Sequence, residues 1–564
     1  MKFTDFPYQR PELDSFVKKF EILLEGFENA DSLESQNDFF EKINEMREDF
    51  SSMNSLCRIR HSINTRDEFY EKENTFFDEN SPKYEALNNR FYQLIVNSKF
   101  RKSLEKKWGS QLFVIADLSL KTFQPTILED LQKENKLISN YNKIKAIAEI
   151  EFEGKKYNLS TIIPLENSKS RPSRKAAAEA KWTFYEKNSE AFEQIYDQQV
   201  KVRHEIAQKL GYKNFIELGY ARMLRSDYNA EMVANFRKQI LEHVVPVATK
   251  LYERQKNRLG LESLNYYDLG FRFASGNPKP QGSPDWILNH ASKMYTDLSP
   301  ETKEFFNFMR DNELMDLVNK EGKSTGGYCS FIGKYKAPYI FSNFNGTSGD
   351  IDVLTHEAGH AFQVYSSRNI GLDEYNWPTY EACEIHSMSM EFFTYPWMDL
   401  FFEHETDKYK FAHLASAIKF LPYGVAVDEF QHFVYENPTI TSKERNEAWR
   451  KIERKYLPHI DYGDNLFLKN GGFWQKQSHI FSSPFYYIDY TLAQVCAFQF
   501  WKKDQENHTS AWNDYINLCQ AGGSQSFLNL VKLANLMSPF QEDCVKSVIG
   551  TIKSWLDSVD DSKF

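Results

Sequence analysis

A mainly α-helical fold with one small β-sheet follows from three features of this chain. Most of its length reads as polar and apolar residues mixed at helical spacing, and β-prone runs are confined to two places. With 564 residues, the chain is also long enough to bury a large core and to divide into lobes. The helical pattern is clearest over Glu12 to Phe27, Lys83 to Lys107, Ser173 to Leu210, Ala230 to Leu259 and Thr441 to Tyr456. A hairpin is predicted between Ala146–Phe152 and Tyr157–Ile162, turning at Gly154-Lys155-Lys156. A first lobe ends near residue 175, after Arg171-Pro172, which gives an N-terminal helical lobe over 1–175 and a second domain over 176–564. The cluster from Ser275 to Pro284, rich in Gly, Pro and Asn, must be a loop.

The main β region covers Gly326–Ile332 and Ala337–Phe344, around a short Gly333-Lys334 turn. Pro338 cannot donate a ladder hydrogen bond, which places the second run at a sheet edge or at the start of its strand. As an edge strand it could pair with an extended peptide. Residues Asn345 to Asp350 then break the strand, and Ser348 or Asp350 is available to cap the helix that follows.

Composition narrows the function classes. A formal net charge of −10 argues against a protein that relies on phosphate contacts, so no nucleic-acid partner is expected. The six cysteines are scattered without a CxxC pair, so neither a thiolate zinc knuckle nor a redox motif is indicated. No stretch reaches the roughly 18 consecutive apolar residues of a membrane span. The N-terminus, MKFTDFPYQRPELDSF, has charges and prolines where a signal peptide needs an apolar run, so the chain reads as cytoplasmic.

The chemistry lies in His356-Glu357-Ala358-Gly359-His360. Leu354, Ala358, Ala361 and Tyr365 form an apolar stripe, while His356 and His360, at i and i+4, share another face and can converge on one zinc ion. Glu357 lies one step round the helix, beside the water that zinc would activate, in the position of a general base. A third ligand is needed. Gln363 and Ser366 stand where the metzincin pattern requires Gly and His, which removes that variant. A second helix from Thr379 to Glu391 offers Glu381 and Glu384, and spacing does not choose between them; Glu391 is read as a partner that orients a ligand histidine.

The chain here resembles the thimet oligopeptidase and oligoendopeptidase F family of zinc metallopeptidases, most closely the bacterial oligoendopeptidase F and Pz-peptidase branch. The similarity is carried by Gly322–Tyr328, Pro338–Phe344, Asp352–Ala361 and Glu384–Glu391, in that order. The family register implies Glu384 as third metal ligand beside His356 and His360. It implies a two-lobed zincin-type fold, a small sheet beside the zinc helix, and a deep channel admitting short peptides. It also places His479, Tyr486 and Tyr490 at the family's transition-state-stabilising positions, with Tyr487 as the alternative to Tyr486. Tyrosine hydroxyls and a ring N–H are suitable donors to a developing oxyanion.

The expected activity is therefore a metalloendopeptidase that holds one Zn²⁺, with Glu357 as base, cutting internal bonds of short peptides. Two rivals stand beside it. A zinc carboxypeptidase of similar helical fold would need a cation for the substrate carboxylate, and no lone arginine declares itself. A non-catalytic peptide-binding protein would have no use for Glu357.

Overall fold

The computed structural model describes residues 1–159, 161–324 and 326–564, and its architecture is the predominantly helical one expected, with only small sheets. Thr325, inside the Gly322–Tyr328 segment, and Ser160, inside the predicted second hairpin strand, lie outside the described residues. Among the described residues, no helix is long and apolar enough to cross a membrane.

Helix ends follow local chemistry. The first predicted helix spans Leu13–Asn29 and the last Ser442–Tyr456, where Thr441 and Glu444 form a reciprocal capping box. Three long runs are interrupted. The run over 83–107 belongs to two helices, Glu68–Val96 and Arg101–Trp108, because Ser98 Oγ accepts from the Phe100 N–H at 2.9 Å and ends the first. The run over 173–210 divides into Arg171–Lys187 and Ser189–Lys209 at Asn188, whose side chain donates back to the Phe184 carbonyl. The run over 230–259 carries a π-helical turn at Ile240–Val244, immediately before Val245-Pro246, where proline lacks the N–H of a regular α-helix.

Five strands occur among the described residues. The hairpin is shorter than predicted: β1 (Ile150–Phe152) pairs with β2 (Lys155–Tyr157). Its two-residue turn is Glu153-Gly154, at φ 49° and 74°, a type I′ geometry that leaves Lys155 and Lys156 in the strand. The second sheet contains β3 (Met315–Val318), β4 (Tyr328–Ile332) and β5 (Ala337–Phe344), in the order β3-β5-β4. β3, parallel to β5, escaped sequence reading because four residues are too few for a periodicity. It also corrects the edge assignment: β5 is the central strand with Pro338 near its start, and β3 and β4 hold the two edges. Pro338 fits there because even-numbered β5 residues direct their N–H towards β3, as Ile340 does to the Leu314 carbonyl at 3.0 Å. The β3 pairing begins only at Ile340, so the N–H that Pro338 lacks has no strand to meet.

From β5 the chain enters the motif helix, Gly349–Ser367. Ser348 occupies the N-cap position without a side-chain cap bond; Asp350 instead fixes the entry, accepting the Asn345 and Gly346 N–H groups at 2.8 Å each. The predicted stripe of Leu354, Ala358, Ala361 and Tyr365 is buried in the main core. Behind it lies the Glu384 helix, Tyr380–Phe393, packed in turn on the tyrosine helix, Tyr487–Glu506. A smaller core fills the N-terminal helices with Phe20, Leu24, Phe40, Phe91 and Leu112, and it takes in Leu372 and Tyr375 from just beyond the motif helix.

The motif helix and the Glu384 helix meet at Gly359. A Cβ there would lie 2.6 Å from the His386 carbonyl oxygen and 2.7 Å from the Ser387 Cα, so only hydrogen fits. Gly359→Ala is expected to lower the stability of the full chain by about 1–3 kcal/mol through overpacking, read as a lower thermal midpoint. An unshifted midpoint would mean that the helix pair has room to separate.

Candidate metal centre and peptide cavity

The motif helix and the Glu384 helix bring three donor side chains to one point. His356 Nε2 lies 3.2 Å and His360 Nε2 3.5 Å from Glu384 Oε2, and the candidate ligand atoms of the three residues all fall within 4.8 Å of one another. Two imidazole nitrogens and one carboxylate oxygen form a donor set that suits zinc. Burial alone would raise the Glu384 carboxyl, but the imidazoles, His360 foremost, hold it well below the ordinary range. Ser387 Oγ donates to Glu384 Oε2 at 2.9 Å and fixes the carboxylate rotamer.

Glu391, two turns along the Glu384 helix, is bonded to His356 Nδ1 at 2.6 Å. That bond leaves Nε2 of His356 as the nitrogen facing the cluster. The other Glu391 oxygen meets His413 Nε2 at 2.8 Å, and His413 Nδ1 meets the Tyr395 hydroxyl at 2.7 Å. His413 comes from the helix Thr406–Glu436, far along the chain and in no motif, so sequence reading did not find it. Glu381, the alternative left open by spacing, is not in the cluster. It is fully buried beside Asp489 and Arg225, where burial and then Asp489 push its carboxyl up to about 8.

Glu357 stands beside the cluster with 7% of its surface exposed, and its Oε2 has no hydrogen-bond partner. Burial pushes this carboxyl up, while the His356 and His360 imidazoles draw it down. A poorly solvated, unpartnered carboxylate is a strong proton acceptor.

Glu357, His356, His360 and Glu384 line a cavity of about 680 Å³. Gly327, Tyr328 and Cys329, at and just before the free edge strand β4, form another part of its wall; Arg47, Tyr92 and Gln111 face it from the N-terminal helices. Tyr486 and Tyr490 line it as well, whereas Tyr487 does not, packing against Phe420 and Tyr423. Tyr486 donates from its hydroxyl to Glu384 Oε1 at 2.9 Å. Burial first, and then the Glu384 charge, push both cavity tyrosines well above the ordinary phenol range, so they stay protonated donors.

His479 stands behind these tyrosines, its ring centroid 5.5 Å from that of Tyr486 and 5.8 Å from that of Tyr490, and it is not among the residues lining the cavity. The Tyr423 hydroxyl donates to Gln477 Oε1 at 2.8 Å, which turns Gln477 Nε2 to His479 Nδ1, also at 2.8 Å. Nδ1 is therefore the acceptor, and the ring proton sits on Nε2. Burial, and then Lys145, lower the His479 imidazole to about 4, so it is neutral at physiological pH.

Comparison with known proteins identifies the family. The sequence pattern of the Peptidase M3 N-terminal domain matches residues 3–123, and that of Peptidase family M3 matches residues 165–279 and 301–548. An oligoendopeptidase F homolog of Borreliella burgdorferi is 24% identical over 433 residues, covering 72% of this chain and 70% of that protein. One from Lactococcus lactis subsp. lactis is 22% identical over 395 residues, covering 66% of this chain and 61% of the relative. Among solved structures, PZ peptidase A with inhibitor 2 superposes at a TM-score of 0.96 with 59% identity over 100% of both chains. A putative oligoendopeptidase F from Bacillus anthracis str. Ames gives 0.92 and 56%, covering 100% of this chain and 99% of that one. With its donor cluster, its fold and both sequence patterns in agreement, this chain belongs to peptidase family M3 and is a metalloendopeptidase.

Proposed function

We propose that the protein is a zinc-dependent oligopeptidase that hydrolyses internal bonds of short peptides held in the 680 Å³ cavity. The observation that carries this reading is the convergence of His356, His360 and Glu384 beside the unpartnered oxygen of Glu357 on one cavity wall. These three side chains would hold the metal, with Glu391 and His413 orienting His356. A zinc ion bound there supplies Lewis-acid polarisation of the scissile carbonyl and a water acidified to a pKa of about 7.

Within that frame, Glu357 accepts the proton of the attacking water and passes it to the departing amine. The hydroxyl of Tyr486 leaves Glu384 Oε1 to donate to the oxyanion, joined by Tyr490. His479 buttresses both rings from behind rather than meeting the substrate itself. The free edge of β4 offers main-chain groups to an extended peptide, which takes over the role expected of β5 from sequence. Such pairing reads backbone and not side chains, and it requires an unfolded segment, so folded proteins are excluded.

The carboxypeptidase alternative loses its cation here. Among the described residues Arg47 is the only Lys or Arg that lines this cavity, and its Nε, Nη1 and Nη2 already donate to Asn88, Asn44, Tyr92 and Glu374.

Three tests follow. Digests of short synthetic peptides followed by mass spectrometry are expected to show internal cuts; ladders shortened residue by residue from the C-terminus would reverse the assignment. In the same assay Glu357→Gln should retain stoichiometric zinc while losing about 10²–10⁴-fold in turnover, and His360→Ala should lose both metal and activity. Undiminished turnover by Glu357→Gln removes it as the base. Tyr486→Phe is expected to lower turnover by about 10²–10³-fold, with Tyr487→Phe staying near the parent protein; the reverse order would exchange their roles. Glu391→Gln should weaken zinc by about 10–100-fold in competition with a chelator, and an unchanged affinity would sever Glu391 from the metal centre.

A further inference from the structure

The cavity has a second charged wall, apart from the metal constellation. Just after the motif helix, a short turn of helix, Asp373–Asn376, is locked into the N-terminal helices. The Tyr375 hydroxyl accepts from the Leu112 N–H and donates to the Trp108 carbonyl, both at 2.9 Å. Glu374 is tied to Arg47 at 2.5 Å and to the Tyr92 hydroxyl at 2.7 Å, and both bonds end on the same oxygen, Oε1. Its side chain is only 4% exposed, yet Oε2 has no hydrogen-bond partner. Burial works to raise this carboxyl, but Arg47 holds it below the ordinary range, so it is ionised. A buried, ionised oxygen without a donor leaves an uncompensated negative charge on this wall, which favours a cation placed in the cavity.

Asp373 stands next to it on the same wall. Its Oδ1 takes one long bond from Asn376 Nδ2 at 3.4 Å, and among the described residues no donor reaches Oδ2. The wall thus carries the charges of Asp373 and Glu374 against the one positive charge of Arg47, which is bonded to Glu374 and to Asn88, Asn44 and Tyr92. Among the described residues no other Lys or Arg lines the cavity to cancel the remaining negative charge, whereas Tyr92 and Trp377 add aromatic faces that favour a cation.

We propose that Asp373, supported by Glu374, forms a cation-accepting subsite of the peptide cavity, which takes an ammonium or guanidinium group of the substrate. The group is the peptide's free N-terminal ammonium or a Lys or Arg side chain, since both present the same hydrogen-bonding cation. Specificity in this cavity then comes from one charged anchor, added to main-chain pairing along β4 that is indifferent to sequence. The anchor position is fixed by the lobe contact through Tyr375, so the cation and the scissile bond stand at a set separation along the peptide.

This inference rests on the peptidase reading, and its test is chosen to be independent of turnover. Binding is measured by calorimetry with zinc-loaded full-length Glu357→Gln, using one neutral peptide sequence in three forms: free N-terminus, N-acetylated, and N-acetylated with a single Lys moved along the chain. The readout is the ratio of affinities, cationic over neutral. It is expected to be about tenfold in favour of the cationic forms, and to fall close to one when Asp373→Asn is added. Steady-state KM on the otherwise unaltered chain should show the same ratio and the same loss. Preference for the free over the acetylated N-terminus identifies the terminal ammonium, and preference restored by Lys at one position identifies a side chain. A ratio near one in the parent protein, or a ratio that Asp373→Asn leaves unchanged, overturns the subsite. The second result is also what a purely structural role for Asp373 gives, because it would weaken all three peptides together. Absence of cleavage by the parent protein counts against the peptidase reading alone.

Discussion

The absent side chain of Gly359 is the constraint on which the site depends. The motif helix and the Glu384 helix approach until the His386 carbonyl and the Ser387 Cα occupy the space of a methyl group. That separation is what lets a carboxylate as short as Glu384 come within 3.5 Å of both imidazoles at once. Glu391 reaches His356 from two turns further on, across the same contact. A helix pair held a methyl group further apart would retain its residues and lose their convergence, and a metal site tolerates little such looseness.

The same packing explains why so much charge is buried here. Glu357, Glu384 and Asp489 are removed from water, as are Glu391, His356 and His413 in large part. Three of these four acids have a specific partner. Glu384 and Glu391 have the imidazoles, and Asp489 has the fully buried Arg225 at 2.6 Å. Asp489 sits on the tyrosine helix between Tyr486 and Tyr490, so the residue that ties this helix to Arg225 lies between the two that face the cavity. Buried pairs of this kind are poor sources of stability but strong determinants of position. Glu381 is the exception, an acid left without a hydrogen-bond partner and therefore pushed towards its neutral form. Glu357, likewise short of a partner, is the residue to which the proton transfer is assigned. What distinguishes them is the cavity, which Glu357 reaches and Glu381 does not.

Sequence disclosed what one helix can hold. The spacing of His356, Glu357 and His360 states a face, and the apolar stripe behind them states where that helix is buried. The choice of Glu384 over Glu381 is a difference of one helical turn, which spacing leaves open and tertiary contact decides by turning Glu381 towards Arg225. Pro338 left β5 either at an edge or with the proline at its start; the second holds, because a four-residue strand, invisible to periodicity, pairs with β5 only from Ile340 onwards. His413, Asp373 and Glu374 carried no signal at all. Each matters through a partner distant in sequence: Glu391 for His413, and Arg47 for the acidic pair.

The seam between the N-terminal helices and the segment after the motif helix also restricts how a peptide can enter. Arg47 and Glu374 are each 4% exposed, and they face each other across this seam. Drawing the walls apart there would leave an unpaired guanidinium and carboxylate, a cost of about 3–5 kcal/mol for a buried pair. Tyr375 would lose both hydrogen bonds of its hydroxyl in the same movement. The seam therefore behaves as a fixed edge of the cavity, and any opening that admits substrate must turn about it and part the walls elsewhere. A neighbouring cavity of about 410 Å³ shares Met223, Tyr380 and Tyr486 with the first, which marks the side of Tyr486 as a direction in which the channel already continues. An extended peptide running from Asp373 past the metal cluster towards Tyr486 would use the fixed edge for its charge and the open side for its remaining length.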